Sequence, residues 1–234
     1  MKILRFISQK LNFLACPGCE NGDGHGINAL CDECLSKILF FSEYTCYCCG
    51  GELDGVLSCC SKCIKEGQRP FVEAASVFTY HSFGRELILK YKSGGVLPFA
   101  RIFAKMAAER LRSKYAHWEF DLIIPVPLHW TRKFSRTFNQ SGLIADFLAS
   151  ELMIQCCHSS LKRIKRAKSQ KFLSAAERHK NLKNAFKANP LKVRGKNILL
   201  IDDIFTTGVT LSCASDALIN AGAERIYVLS IARA

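Results

Sequence analysis

Two groups of residues in this chain have types and spacings suited to chemistry. The first is the run Ile198-Leu199-Leu200-Ile201-Asp202-Asp203-Ile204-Phe205-Thr206-Thr207-Gly208-Val209-Thr210. Its apolar start predicts a buried strand over Asn197–Asp202, which delivers two adjacent carboxylates to the C-terminal end, where ligands of open α/β sheets bind. A turn rich in hydroxyls and glycine follows and leads into a helix. Backbone N–H groups, the hydroxyls of Thr206, Thr207 and Thr210, and the positive end of the helix dipole then make a phosphate site. A ribose 5-phosphate suits this layout, with Asp202 and Asp203 accepting hydrogen bonds from its 2- and 3-hydroxyls. The plainer reading is a solvated acidic pair before an ordinary capped helix, but the ordered run of apolar residues, two acids and T-T-G-x-T argues against it.

The second group is cysteine. Of 13 cysteines, ten lie between Cys16 and Cys63, in an approximate repeat: Cys16-x2-Cys19 precedes Cys31-x2-Cys34, and Cys46-x2-Cys49 precedes Cys60-x2-Cys63. Thiolates at C-x2-C spacing bite one tetrahedral ion, and a second pair ten or eleven residues on closes a knuckle. Two zinc ions are expected, most simply on Cys16/Cys19/Cys31/Cys34 and Cys46/Cys49/Cys60/Cys63; interleaved pairing stays open, and Cys48 or Cys59 could replace a neighbour. Disulfides would require an export route, and nothing here resembles an export signal: Arg5, Gln9, Lys10 and Asn12 interrupt the apolar N-terminus. Leu14-Ala15-Cys16 has only a faint likeness to a lipoprotein cleavage site. A redox dithiol would need one pair directly before a helix.

No apolar run approaches the roughly 18 residues of a bilayer span. Membrane insertion is therefore not expected, and the reading is a soluble protein in a reducing cytoplasm. The net charge of +13 is concentrated: residues 161–196 hold 13 Lys and Arg against a single Glu. Such a segment suits a polyanion, either a phosphorylated small molecule or nucleic acid, although a charge run is commonly just a solvated face. Lys162, Lys165, Arg166, Lys168 and Lys171 are the candidate nucleic-acid contacts. Only Phe172 and Phe186 interleave with the charges, so base stacking would be sparse and binding mainly electrostatic.

The elements that must position these groups alternate. Val72–Tyr80 predicts a strand, Gly84–Lys92 and Phe99–Lys114 helices, Asp121–Pro125 a short buried strand ending in a Pro-x-Pro turn, and Asn139–Leu152 a helix. Ser174 with Glu177 suggests a capping box. Beyond Asn197–Asp202 come a helix over Thr210–Ala221 and a last strand over Arg225–Ala232. This order indicates an α/β domain with a mostly parallel sheet flanked by helices, over residues 69–234, behind a small cysteine module over 1–68. Lys62–Pro70 reads as a linker between them.

The Asp-Asp/T-T-G-x-T run resembles the 5-phosphoribosyl-1-pyrophosphate (PRPP) motif of type I phosphoribosyltransferases. Pro125-Val126-Pro127-Leu128-His129, Arg136-x-Phe138-Asn139-Gln140, Arg163, Gln170, Arg178-x-x-Asn181 and Phe186 align in order with the competence protein F family (ComF/ComFC), whose double zinc ribbon the cysteine pairs resemble. The chain departs from that pattern at Thr137, where the family has Gly, and at Ala167, where it has Thr. The resemblance implies a type I phosphoribosyltransferase-like fold behind a zinc ribbon, with magnesium binding alongside PRPP. It implies that Asp202 and Asp203 are catalytic, and that Val126, Pro127, Leu128 and His129 lie in a pyrophosphate loop spanning Pro125–Trp130. Segment 161–196 would be the loop that closes over pyrophosphate, with Arg163, Lys165, Arg166 and Lys168 as clamps. The implied reaction is Mg2+-dependent phosphoribosyl transfer to an unidentified acceptor. The alternative is a non-catalytic single-stranded DNA-binding module that uses the fold as a scaffold; under either reading the resemblance implies a role in natural transformation, with single-stranded DNA and a ComFA-like competence helicase as partners.

Overall fold

A computed structural model describes residues 15–20, 29–53, 57–94, 96–128, 138–164 and 184–234. At its centre, strand β5 (Asn197–Phe205) lies between β6 (Arg225–Arg233) and β2 (Leu122–Pro125), and β6 continues to β1 (Glu73–Thr79). All pairings in this four-stranded sheet are parallel, in the order β1-β6-β5-β2. A parallel sheet is covered on both faces, which is why its strands read as continuous apolar runs. Side chains of β5 alternate accordingly. Leu199 and Ile201 join one buried cluster, and Ile198 and Leu200 join the other.

The first cluster is made with helices α3 (Ser82–Ser93), α4 (Val96–Lys114) and α5 (Gln140–Leu152). On α4, Ala100, Ala104, Ala107 and Ala108 are fully buried, and such small side chains allow close helix approach. The opposite face is covered by helix α7 (Val209–Asn220), through Leu211, Ala214 and Leu218.

Two parts depart from the sequence expectation. The stretch read as a linker begins with helix α2 (Ser61–Glu66), which is preceded in the chain by α1 (Asp32–Ser36). Turn composition there hid a short helix whose buried residue is Cys63. The basic segment read as a loop has paired ends: β3 (Leu161–Arg163) and β4 (Phe186–Ala188) form an antiparallel ribbon, followed by the short helix α6 (Pro190–Val193). Three-residue strands carry too little periodicity to be read from sequence. Residues 165–183, with the Ser174/Glu177 capping box, lie outside the described residues.

The cysteine-bearing segment covers the outer edge of β1. Phe41 N–H donates to Val77 O (3.3 Å), Thr79 N–H to Leu39 O (2.9 Å) and Ala74 N–H to Tyr47 O (2.7 Å). An edge strand with unpaired backbone groups is an aggregation liability, and here it is paired off. Gly50 makes the contact possible: its φ is +64°, and a Cβ there would sit 2.7 Å from the Ala75 backbone.

Candidate functional site

Register explains how the acidic pair is presented. Strand β2 stops at Pro125, opposite Ile201, whereas β5 continues beside β6 through Asp202 to Phe205. The carboxylates thus sit where β5 has lost one neighbour, slightly before the strand end rather than at it. The vacated side is occupied by the chain leaving β2. Val126 N–H donates to Ile201 O (2.9 Å), and Asn139 Nδ2 donates to Val126 O (3.2 Å). Val126, Pro127 and Leu128 are therefore brought to the carboxylate edge; His129 lies outside the described residues.

Asp202 and Asp203 are half-buried and differently partnered. Asp202 Oδ1 accepts from Ser141 Oγ (2.9 Å) and from the Asp203 N–H (2.9 Å). Asp203 Oδ2 pairs with Lys92 Nζ at 2.8 Å. Desolvation, then the adjacent Asp203 charge, pushes the Asp202 carboxyl up to about 7, against the lowering effects of Ser141, the Asp203 amide and Lys92. A carboxyl so placed gains from a hydroxyl donor or a cation, and such perturbed groups cluster at functional sites.

The turn after β5 is braced from three sides. Gly208 is left-handed, at φ +77°, and a Cβ there would meet Arg69 Nη1 at 2.5 Å and the Phe205 ring at 2.6 Å. Arg69 Nη1 donates to Thr207 O (3.2 Å) and Ser212 Oγ (3.4 Å), and its guanidinium lies 5.6 Å from the Phe205 ring centroid. Arg233 stacks on the same ring at 5.0 Å and donates to Phe205 O (3.4 Å). Thr206 is exposed, and Thr207 and Thr210 are half-buried at the start of α7, so hydroxyls and helix-start amides share one edge with the carboxylates.

Sequence reasoning missed Lys92, Ser141 and Arg69. None of the three had a site signal in the sequence: a lysine in the last turn of a helix is ordinary, and all three reach the carboxylates or the turn only by tertiary approach. Other candidates fall elsewhere. Arg163 lies 5.6 Å over the Phe186 ring and acts electrostatically on Cys213 of α7, and Lys162 is exposed on β3. Lys165, Arg166, Lys168 and Lys171 lie outside the described residues.

The cysteines assemble without interleaving. Cys16/Cys19/Cys31/Cys34 and Cys46/Cys49/Cys60/Cys63 each bring four sulfurs within 4.8 Å of one another. Cys19 and Cys31 sulfurs are 3.8 Å apart, and those of Cys49 and Cys60 3.9 Å. Tetrahedral zinc with bonds of about 2.3 Å needs sulfur separations of about 3.8 Å, so both clusters can hold such a structural metal. Cys46, Cys48 and Cys59 form an overlapping trio, with Cys59 and Cys48 sulfurs 3.4 Å apart. For magnesium, the acidic pair offers the one or two carboxylates that this ion takes alongside substrate phosphates and water. The residues fit that mode.

Among known proteins, the phosphoribosyl transferase domain family matches residues 139–233. Competence protein F of Haemophilus influenzae is 31% identical over 227 residues, spanning 94% of this chain and 96% of its own. Competence protein ComFC of Streptococcus pneumoniae is 31% identical over 210 residues, 88% of each chain. Of solved structures, the glutamine PRPP amidotransferase of B. subtilis aligns with 56% of this chain and 25% of its own, at 22% identity and a TM-score of 0.39. A 31% identity that runs over nearly the whole length of the Haemophilus protein, together with a parallel sheet carrying the acidic pair, places this chain in the ComF/ComFC competence protein family.

Proposed function

We propose that the chain binds PRPP with Mg2+ at the edge formed by Asp202, Asp203, Thr206–Thr210 and Val126–Leu128, and transfers its phosphoribosyl group to an acceptor. The observation that carries this reading is the acidic pair at the point where β5 loses β2 as neighbour, two residues before the T-T-G-V-T turn. The 5-phosphate would take the turn's hydroxyls and helix-start amides, and the two carboxylates the ribose hydroxyls. In the reaction the anomeric C–O bond breaks, pyrophosphate leaves with the bonding pair, and the acceptor forms the new bond to the anomeric carbon. Asp202 and Asp203 offset the positive charge developing on the ribose, while Lys92 holds Asp203 in place. Bound magnesium would be held by the Asp202 and Asp203 oxygens that the ribose hydroxyls leave free, and would supply charge neutralisation on pyrophosphate.

Zinc is the proposed ion of the two cysteine clusters. The names of the relatives support a role in natural transformation, with single-stranded DNA and a ComFA-like helicase as proposed partners. A specific observation favours a polyanion at the basic segment: Lys162 and Lys187 stand directly opposite in the β3–β4 ribbon, where like charges destabilise a strand pair unless neutralised. A purely DNA-binding scaffold is the second reading, and the acidic pair separates the two, because carboxylates beside a phosphate site do not help DNA. Thermal denaturation tests the first reading. PRPP with Mg2+ at a hundred times its dissociation constant should stabilise the protein by about 2.7 kcal/mol, and Asp203→Asn should abolish the shift. An unshifted melting curve in the wild type contradicts the proposal.

A further inference from the structure

Away from the acidic pair and the cysteine knuckles, three different donor groups converge on the flank of α5. We propose that Asp146, Cys156 and His158 form a separate site for a zinc-class divalent ion, with one coordination position open to solvent.

The backbone builds this convergence. Met153 caps α5 in the left-handed conformation (φ 55°, ψ 39°), and the chain turns back, with Ile154 N–H donating to Ala149 O (3.0 Å). Residues 155–157 then run parallel to β2: Ile123 N–H donates to Gln155 O (2.9 Å), and Cys157 N–H to Ile123 O (2.9 Å). These bonds hold Cys156 extended, so Cys156 and His158, two residues apart, project to one side and Cys157 to the other. That side faces α5, which contributes Asp146. Gly142 admits the imidazole, since a Cβ there would lie 3.1 Å from His158 Cε1.

The donor geometry fits. His158 Nε2 lies 2.6 Å from Asp146 Oδ1 and 3.7 Å from Cys156 Sγ, and all three donors fall within 4.8 Å of one another. In tetrahedral zinc sites, with bonds of about 2.0 Å to nitrogen and 2.3 Å to sulfur, neighbouring donors stand about 3.4 to 3.8 Å apart. The sulfur–nitrogen separation already meets this. The nitrogen–oxygen pair must open by less than about 1 Å, and both side chains are 49% exposed, so they have room. One nitrogen, one sulfur and one oxygen suit a borderline ion; calcium and magnesium select all-oxygen sets, and copper(I) a sulfur-rich one. An exposed His–Asp pair accounts for two of these residues and core packing for the burial of Cys156, but neither requires its sulfur to lie 3.7 Å from the imidazole nitrogen. Three protein ligands leave a fourth position for water or a small anion, as in zinc sites that keep an open coordination position.

The site is tested on the full-length protein after dialysis against a mild chelator that empties open sites and spares closed four-thiolate sites. Adding Co2+ should then produce a thiolate-to-cobalt charge-transfer band at one equivalent. Cys156→Ser should remove the band, His158→Gln and Asp146→Asn should weaken Co2+ binding at least tenfold, and Cys157→Ser should leave it unchanged. The two exposed positions carry the test if Cys156→Ser fails to fold. A wild type that gives no band, or a band that survives Cys156→Ser or is lost only in Cys157→Ser, overturns the site. Metal retained on the cysteine knuckles after the dialysis, in wild type and variants alike, supports assigning the band to the new site, and a band that appears only when knuckle metal has been lost overturns it.

Discussion

At the scale of single residues, the two carboxylates of the acidic pair have unequal surroundings. Asp203 has Lys92 as counter-ion, whereas Asp202 is desolvated beside a like charge and is raised to about 7. The unfolded chain ionises Asp202 in the ordinary carboxylate range, so between that range and pH 7 it binds fewer protons than the folded chain. Stability should fall as pH rises across this window and level off above it. Asp202→Asn keeps the shape and an acceptor for Ser141 but removes the charge. Melting curves should show the variant gaining on the wild type at pH 8 and not at pH 4, by roughly 2 to 4 °C per kcal/mol recovered. The same variant should lose PRPP turnover by about 2 to 4 kcal/mol if the charge acts chiefly in the transition state. Wild-type affinity for PRPP should weaken as pH drops below 7. The pair was legible from sequence because four apolar residues precede it; Ser141 and Lys92 were not, since each arrives from a different helix.

At the scale of elements, the turn between β5 and α7 is shaped by residues on both sides of it. Gly208 has a left-handed backbone and no space for a Cβ, so Gly208→Ala should destabilise the protein by about 1 to 3 kcal/mol and weaken ligand binding, as read by chemical denaturation and titration together. Arg69→Ala should leave the fold melting cooperatively yet raise the dissociation constant for ribose 5-phosphate, because the Thr207 carbonyl loses its tether. An unchanged constant would show that the turn holds itself. Long helices were readable from their periodicity and the buried strand β5 from its continuous apolar run, with ends shifted by a few residues. The β3–β4 ribbon was not, because its three-residue strands are joined through long-range pairing that leaves no local pattern.

At the scale of the whole molecule, the cysteine knuckles support the site-bearing domain. One knuckle reaches α3, where Lys90 Nζ donates to Gly18 O (2.6 Å), two residues from Lys92; the other is followed by Arg69. Both also share buried clusters with the sheet. Stripping metal, or Cys34→Ser, should therefore lower the stability of the sheet as well as of the knuckles, seen as one merged unfolding transition rather than an early separate one. Sequence spacing showed the cysteine pairs but not their attachment to the sheet, which consists of hydrogen bonds to β1 and shared buried clusters. If the basic segment serves DNA, reversing Lys162, Lys165, Lys168 and Lys171 to Glu should weaken binding to all single strands alike and flatten its salt dependence. An unchanged salt slope would place the polyanion surface elsewhere. Whether the acidic edge recognises PRPP, as the proposed function requires, is settled by calorimetric titration of PRPP with Mg2+ into wild-type, Asp202→Asn and Asp203→Asn proteins. On the proposed function the wild type should bind saturably and both variants far more weakly, while single-stranded DNA affinity is kept. A wild type with no measurable heat or affinity for PRPP or ribose 5-phosphate would contradict it.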